Sequence, residues 1–97
     1  MIALPSHLTL REASAVLRTV LPSIAEATDH TITVDAAALT HIDSAALAVL
    51  LECKRQAQAH QRELVVVNVP ARLQELAKLY GVNDMLGMSS PPASATH

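Results

Sequence analysis

The chain has 97 residues, of which 51% are hydrophobic and 16% charged, and its formal net charge at pH 7 is −2. This length fits one small domain, and the slight negative charge gives no electrostatic case for binding nucleic acid or anionic lipid. A single cysteine, Cys53, excludes an internal disulfide, and no apolar run reaches the eighteen residues that span a bilayer. We therefore expect a cytoplasmic protein that does not insert into the membrane.

The first half of the chain predicts strand, helix and strand. Residues 1–4 are apolar and precede a proline, which is typical of a short edge strand. Thr9 and Glu12 have the spacing of a capping box, and Pro22 is expected to kink or divide the helix that follows. The apolar stripe of this helix is Leu10, Ala13, Leu17, Val20, Leu21 and Ile24. Residues 31–35 are β-branched and alternating, which indicates a strand.

The second half predicts helix, strand and helix. A helix is expected from residue 45 to about residue 60. Residues 63–69 contain four consecutive apolar residues, which predicts a strand covered on both faces. Pro70 at the first helical position and Gly81 just past the end frame a helix over residues 71–80. Its inward stripe is predicted to be Leu73, Leu76, Ala77 and Tyr80.

The order of elements predicts the fold class. Strands alternating with helices favour a small α/β layer with parallel strand pairs and right-handed crossovers. A further helical turn fits residues 83–86. We assign residues 1–88 to this single domain, and we predict that residues 89–97, rich in Ser, Pro and Ala, form a disordered C-terminal tail.

The candidate functional stretch is residues 40–51, in which a turn at Asp43 and Ser44 leads directly into a helix. Ser44 is predicted to be the N-cap. The helix is apolar on nearly every face for two turns, so it is buried or packs one side against a partner. A plain cap and a serine used in recognition or phosphate chemistry both explain Ser44.

Enzymatic, cofactor and metal signatures are weak. The only glycines are Gly81 and Gly87, which excludes a P-loop and a dinucleotide fingerprint. His41, Asp43 and Ser44 are the residue types of a hydrolytic triad, but they lie too close in sequence for a relay geometry to be expected. No metal-ligand spacing occurs among His7, His30, His41, His60 and His97. We expect no catalytic residues, no cofactor and no metal.

The sequence resembles the signature of STAS domains, the anti-sigma-factor-antagonist fold. Ile-Thr-Val-Asp at residues 32–35, followed by Leu-Thr-His-Ile-Asp-Ser-Ala-Ala-Leu at residues 39–47, carries the resemblance. It implies a single STAS-like α/β domain whose small, mostly parallel sheet packs against helices. Residues 76–82 are most similar to the MlaB branch, the STAS subunits of phospholipid-transport ABC complexes. This implies a non-catalytic partner of the ABC ATPase subunit, and through it of the permease, peripheral to the inner membrane.

The resemblance also implies a partner surface and an alternative function. The surface is expected to comprise Thr40, His41, Asp43, Ser44, Ala45 and Leu47. In the sigma-regulating branch the residue that matches Ser44 is phosphorylated, so an anti-sigma factor antagonist working as a phospho-switch is the alternative. A hydrolase built on Ser44 is a third hypothesis.

The chain departs from the family pattern in two places. Ala45 and Ala46 follow the Asp-Ser pair, where the family usually has a glycine. Before the first helix only residues 1–4 are clearly available for a strand. The sheet is therefore expected either to lack one edge strand or to form it from very few residues.

Overall fold

Strands and helices alternate along residues 2–82, the part of the chain that the structure, a computed structural model, describes. The elements are β1 (Ile2–Ala3), β2 (His7–Leu8), α1 (Ala13–Glu26), β3 (Thr31–Asp35), β4 (His41–Ile42), α2 (Ser44–Ala59), β5 (Glu63–Val67) and α3 (Ala71–Leu79). The α/β class and the order of the main elements are as predicted. The helical turn expected at 83–86, the domain end at 88 and the tail at 89–97 lie outside the described residues.

The strands form two parallel arrangements. A three-stranded sheet has the order β1-β3-β5, with Ile2 paired with Val34 and Ile32 paired with Leu64. A separate two-stranded ribbon pairs β2 with β4, placing His7 opposite His41. A second strand therefore does precede the first helix, but its two residues pair in the separate ribbon and do not extend the edge of the three-stranded sheet. Backbone N–H groups of Thr40 and His41 both donate to the Ser6 carbonyl at the entrance of this ribbon.

One face of the three-stranded sheet packs in the core. Ile32 and Val34 on β3, and Leu64 and Val66 on β5, are buried, whereas the intervening residues of both strands are half-buried or exposed. The prediction that residues 63–69 are covered on both faces is therefore wrong for the described residues. A run of apolar residues cannot show how many layers of helix lie against it.

The predicted capping box forms only in part, because the N-cap of the first helix is Glu12, without a side-chain capping bond, and not Thr9; the apolar stripe also differs. Glu12 Oε1 accepts hydrogen bonds from the Thr9 backbone N–H (2.9 Å) and hydroxyl (2.6 Å). The helix is continuous through Pro22 rather than divided. Its buried residues are Val16, Val20 and Ile24. Leu10 is 78% exposed, because it lies in the turn before the helix, where the helical spacing does not yet apply.

The last described helix ends as its glycine predicts. Gly81 has φ +71°, its N–H donates to the Lys78 carbonyl, and the N–H of Val82 donates to the Ala77 carbonyl. These two bonds form a Schellman motif, which satisfies carbonyls that the helix cannot pair. Pro70 is the N-cap rather than the first helical residue. Tyr80 is 57% exposed, so its predicted place on the inward stripe is wrong. No helix within residues 2–82 is long and apolar enough to cross a membrane.

Candidate functional site

The turn between β4 and α2 is organised by Asp43. Its backbone is extended (φ −141°, ψ −168°), and its Oδ1 accepts from the backbone N–H of Ala45 at 2.8 Å. Asp43 is therefore the N-cap of α2, and the prediction that Ser44 is the cap is wrong. Ser44 is the first residue of the helix and is exposed. Its hydroxyl is consequently available at the surface, beside the positive end of the helix dipole.

The second carboxylate oxygen of Asp43 connects the two long helices. Oδ2 accepts from the backbone N–H of Leu10 at 3.2 Å, just before α1 begins. The same side chain therefore caps α2 and holds the entrance of α1 next to it. The helices α1 and α2 pack against each other along their length. The Asp43 carboxylate thus links the N-terminal ends of the two helices.

The predicted partner residues separate into surface and core. Thr40, His41, Asp43 and Ser44 are exposed, and Ala45 is half-buried. Leu47 is only 3% exposed and belongs to the core, so it cannot contact a partner in this conformation and is removed from the surface. The sequence could not make this distinction, because a helix that is apolar on nearly every face gives no indication of which side turns inward.

The side of α2 that does not face the core lines an open groove with α1. The groove has a volume of about 650 Å³. One wall is apolar and comes from α1 and the turn before it; the other comes from the first turns of α2, with two carboxylates and the Ser44 hydroxyl at its edges. The lining residues are Leu10, Ala13, Leu17, Leu21, Asp43, Ser44, Ala45, Ala48, Val49 and Glu52.

The α1 wall of this groove is the part of the site that the sequence analysis missed. Leu10, Leu17 and Leu21 were assigned to the inward stripe of the first helix. Leu17 and Leu21 are in fact half-buried, packed against the edge of the core, and Leu10 is exposed. Their spacing of seven and four residues was a signal for a shared side, but it did not indicate that this side opens to the surface.

The three triad-type side chains do not make the contacts of a catalytic relay. Both oxygens of Asp43 accept from backbone N–H groups, at Ala45 and Leu10. The Nδ1 atom of His41 is hydrogen-bonded to the Thr40 hydroxyl at 3.0 Å. Asp43 and His41 therefore do not form the carboxylate–imidazole hydrogen bond that orients a general base, because each is hydrogen-bonded to other groups.

The thiol of the single cysteine, Cys53, is unreactive. Cys53 is buried on α2, and burial, with a smaller contribution from the Glu52 carboxylate, raises its pKa to about 11. The thiolate is the reactive form of cysteine, so Cys53 is a core residue rather than a nucleophile. Among residues 2–82, no group of three or more His, Cys, Asp or Glu side chains is placed to hold a metal ion.

The arrangement suits recognition. An exposed turn, a serine hydroxyl at a helix N-terminus and an adjacent apolar groove can bind a protein surface, and the serine can accept a phosphoryl group. A phosphate on Ser44 would meet a favourable helix dipole but also the negative charge of Asp43. The fold therefore defines a small α/β domain with an exposed serine at the start of α2 beside an apolar groove.

Comparison with known proteins gives the family. The family model described as "Mlab, STAS domain" matches residues 1–87, so the chain belongs to the MlaB-type STAS domain family. Among solved structures, the chain is similar to the anti-sigma factor antagonist SpoIIAA in its unphosphorylated form, with a TM-score of 0.70 and 18% sequence identity. That match covers 96% of this chain and 80% of the other, and at this identity it shows the shared fold. No curated protein sequence matches significantly.

Proposed function

We propose that this protein is a non-catalytic STAS subunit of a phospholipid-transport ABC complex of the Mla type, concerned with outer-membrane lipid asymmetry. In this role it binds the complex's ATPase subunit, supports its activity and is linked through it to the permease. The observation that carries the proposal is the match of an MlaB-type family model to nearly the whole chain. The location that follows is cytoplasmic, peripheral to the inner membrane.

The proposed binding surface combines the turn with the groove. Thr40, His41, Asp43 and Ser44 form its exposed polar part, and Ala45 begins the apolar part. Small side chains at the start of α2 allow close approach of a partner, and burying the leucines of the α1 wall would supply hydrophobic free energy. This distribution, an apolar centre beside polar groups, is that of a protein interface.

Co-purification with the candidate ATPase subunit tests the proposal. The wild-type chain is expected to form a stable complex, and Ser44→Arg to lose it while keeping the wild-type circular dichroism spectrum. Ser23→Arg, which changes another exposed serine near the far end of α1, is the matched control and should bind normally. Failure of the wild-type chain to bind would refute the transport-subunit proposal. Normal binding by Ser44→Arg would refute only the proposed surface.

The alternative function is an anti-sigma factor antagonist that works as a phospho-switch. The exposed hydroxyl of Ser44 at the start of α2 is the observation that favours it. Incubation with a cognate switch kinase and ATP should then place one phosphate per chain on the wild type and none on Ser44→Ala. Stoichiometric phosphorylation together with no ATPase binding would establish the regulator in place of the transport subunit.

A serine hydrolase is the least supported hypothesis, because Asp43 and His41 are bonded elsewhere. A fluorophosphonate probe tests it directly. Covalent labelling of Ser44 would support it, and an unlabelled protein would dispose of it.

A further inference from the structure

Two histidines that are distant in sequence are stacked on the surface of the ribbon. His7 on β2 and His41 on β4 are paired in register, with ring centroids 4.2 Å apart and an interplanar angle of 3°. Both side chains are exposed. Imidazole is the side chain that ordinarily gains a proton between pH 5 and 8, so the two rings of this stack can both become charged within the physiological range.

The backbone and two hydroxyl groups hold the rings face to face. The N–H groups of Thr40 and His41 donate to the Ser6 carbonyl at 2.8 and 3.0 Å, and the Thr40 hydroxyl donates to the same carbonyl at 3.2 Å. The Ser6 hydroxyl is hydrogen-bonded to His7 Nδ1 at 2.9 Å, and the Thr40 hydroxyl to His41 Nδ1 at 3.0 Å. The rings therefore stay in contact for as long as the ribbon stays paired.

This geometry accommodates one positive charge better than two. A single protonated ring faces a neutral one and meets no like charge. Two protonated rings place like charges with their centres 4.2 Å apart. At about 4 Å, even with the dielectric constant of water, this repulsion changes an equilibrium constant about fivefold, and by more in a less polar medium. Separating the two strands relieves it.

The charged groups around the stack do not cancel this repulsion. The Glu12 carboxylate, just before α1, interacts with His7, and Arg11 lies beside it with the opposite charge. The Asp43 carboxylate follows His41 by two residues, but both of its oxygens accept from backbone N–H groups. Within residues 2–82, neither ring forms an ion pair with a carboxylate. Glu12 therefore favours a first proton on His7, and a second proton on His41 has no such partner.

We propose that the stacked pair of His7 and His41 is a pH-sensitive contact, which keeps the ribbon paired near neutral pH and opens it on acidification. In the unfolded chain the two rings are apart and gain protons independently. Where the second ring becomes protonated, the unfolded chain therefore binds more protons than the folded one. Stability rises with pH wherever this is so, and the ribbon is accordingly less stable at lower pH.

Opening of the ribbon would act on the candidate binding surface. Leu8 and Ile42, the second residue of each strand, are buried in the core, so opening is confined to the residues before them. Thr40 and His41 are among those residues and belong to the exposed turn before α2. Acidification would thus change both the shape and the charge of this surface. The inference is independent of the proposed ATPase partner, because it concerns the free chain.

Nuclear magnetic resonance of the full chain between pH 7.5 and pH 5 tests the proposal. The ring resonances of His7 and His41 should titrate in two separate steps. The hydrogen-exchange protection factors of the Thr40 and His41 amides, which bond to the Ser6 carbonyl, should fall about fivefold or more over this range.

Variants that keep a ring but cannot ionise identify the cause. His7→Phe and His41→Phe should each leave one titrating ring in the ribbon and make amide protection independent of pH. His60→Gln, which changes an exposed histidine at the end of α2, is the matched control and should behave as the wild type. Circular dichroism verifies that each variant is folded.

Two results would overturn the proposal: protection in the wild type that does not change with pH, or the same fall in the wild type and in both phenylalanine variants. Glu12→Gln provides a finer test. It removes the negative charge near His7 but keeps an acceptor oxygen for Thr9, so the fall in protection should be larger than in the wild type. An equal or smaller fall would overturn the contribution of Glu12.

Discussion

The carboxylate of Asp43 accepts hydrogen bonds from Ala45 and Leu10, whereas the neighbouring Ser44 hydroxyl is exposed. We therefore predict that Asp43→Ala lowers the free energy of unfolding by about 1–2 kcal/mol, the usual range for loss of a cap. Ser44→Ala should change it by less than about 0.5 kcal/mol, as is usual at exposed positions. Urea denaturation measures both. Asp43→Asn, which keeps a capping oxygen, is the control, and an equal loss in Ser44→Ala would contradict the assignment.

Glu12 gives the protein a defined dependence on pH. Hydrogen bonds from the Thr9 hydroxyl and then from the Thr9 N–H lower the pKa of this carboxyl below its usual 4.5. A lowered pKa in the folded state contributes stability above about pH 4.5, and this contribution disappears as pH falls through the folded-state pKa. Glu12→Gln can accept the same bonds but cannot ionise. We predict that the stability difference between wild type and Glu12→Gln is largest near neutrality and shrinks with acidification.

Denaturation series between pH 7 and pH 3 measure this difference. Thr9→Val, which removes the hydroxyl donor, should flatten the acid dependence of the otherwise wild-type protein. A difference between wild type and Glu12→Gln that stays constant over the whole range would show that ionisation of Glu12 does not contribute.

At the scale of residues, the sequence indicated the candidate turn but not the role of each side chain in it. Asp43 and Ser44 are both good capping residues, and adjacent positions in the chain compete for the same role. The extended backbone at Asp43 decides between them, and that backbone follows from the end of β4. The sequence analysis assigned Leu47 to the partner surface for a related reason. Which side of an apolar helix faces the core is decided by the elements that pack against it.

At the scale of elements, length separates what could be predicted from what could not. The five-residue strands β3 and β5 have enough β-branched and apolar residues to be recognised. The two-residue strands β2 and β4 have no period of their own and exist only because they pair with each other. The placement of His7 opposite His41 depends on this ribbon, so it could not be derived from local patterns.

The C-terminal end of α3 permits a quantitative test of backbone conformation. Gly81 has a positive φ, and a Cβ at this position would meet no atom within 4 Å. Gly81→Ala therefore adds backbone strain without a steric clash, and we predict a loss of about 1–2 kcal/mol in unfolding free energy. Gly81→Asn should lose less, since asparagine tolerates this conformation better. Thermal or urea denaturation distinguishes them. Equal stability of Gly81→Ala and wild type would contradict the role of the left-handed conformation.

At the scale of the whole molecule, the described part of the chain is asymmetric. Buried side chains of β3 and β5 lie on one face of the sheet, where α2 packs against β5. The other face carries half-buried residues such as Val65 and Val67. The alternation of elements predicted the α/β class, but it did not predict that only one face of the sheet is fully buried. A hydrophobic run indicates that a strand is buried, but it does not indicate whether helices cover one face of the sheet or both.

Two leucines test the division between the core and the proposed binding groove. Leu50 is fully buried, whereas Leu10 is 78% exposed at the edge of the groove. Leu50→Ala should lower the free energy of unfolding by about 2–5 kcal/mol, a large part of the 5–15 kcal/mol typical of a domain. Leu10→Ala should change it by less than about 0.5 kcal/mol.

The same substitution at Leu10 should act on binding instead. Truncating an exposed leucine removes apolar surface that a partner would bury, so Leu10→Ala is expected to reduce co-purification with the ATPase subunit while the protein stays as stable as the wild type. Comparing urea midpoints with the amount of ATPase retained separates the two effects. A destabilisation of Leu10→Ala as large as that of Leu50→Ala would place Leu10 in the core and remove the groove from the interface, because a surface available to a partner cannot already be buried in the folded chain.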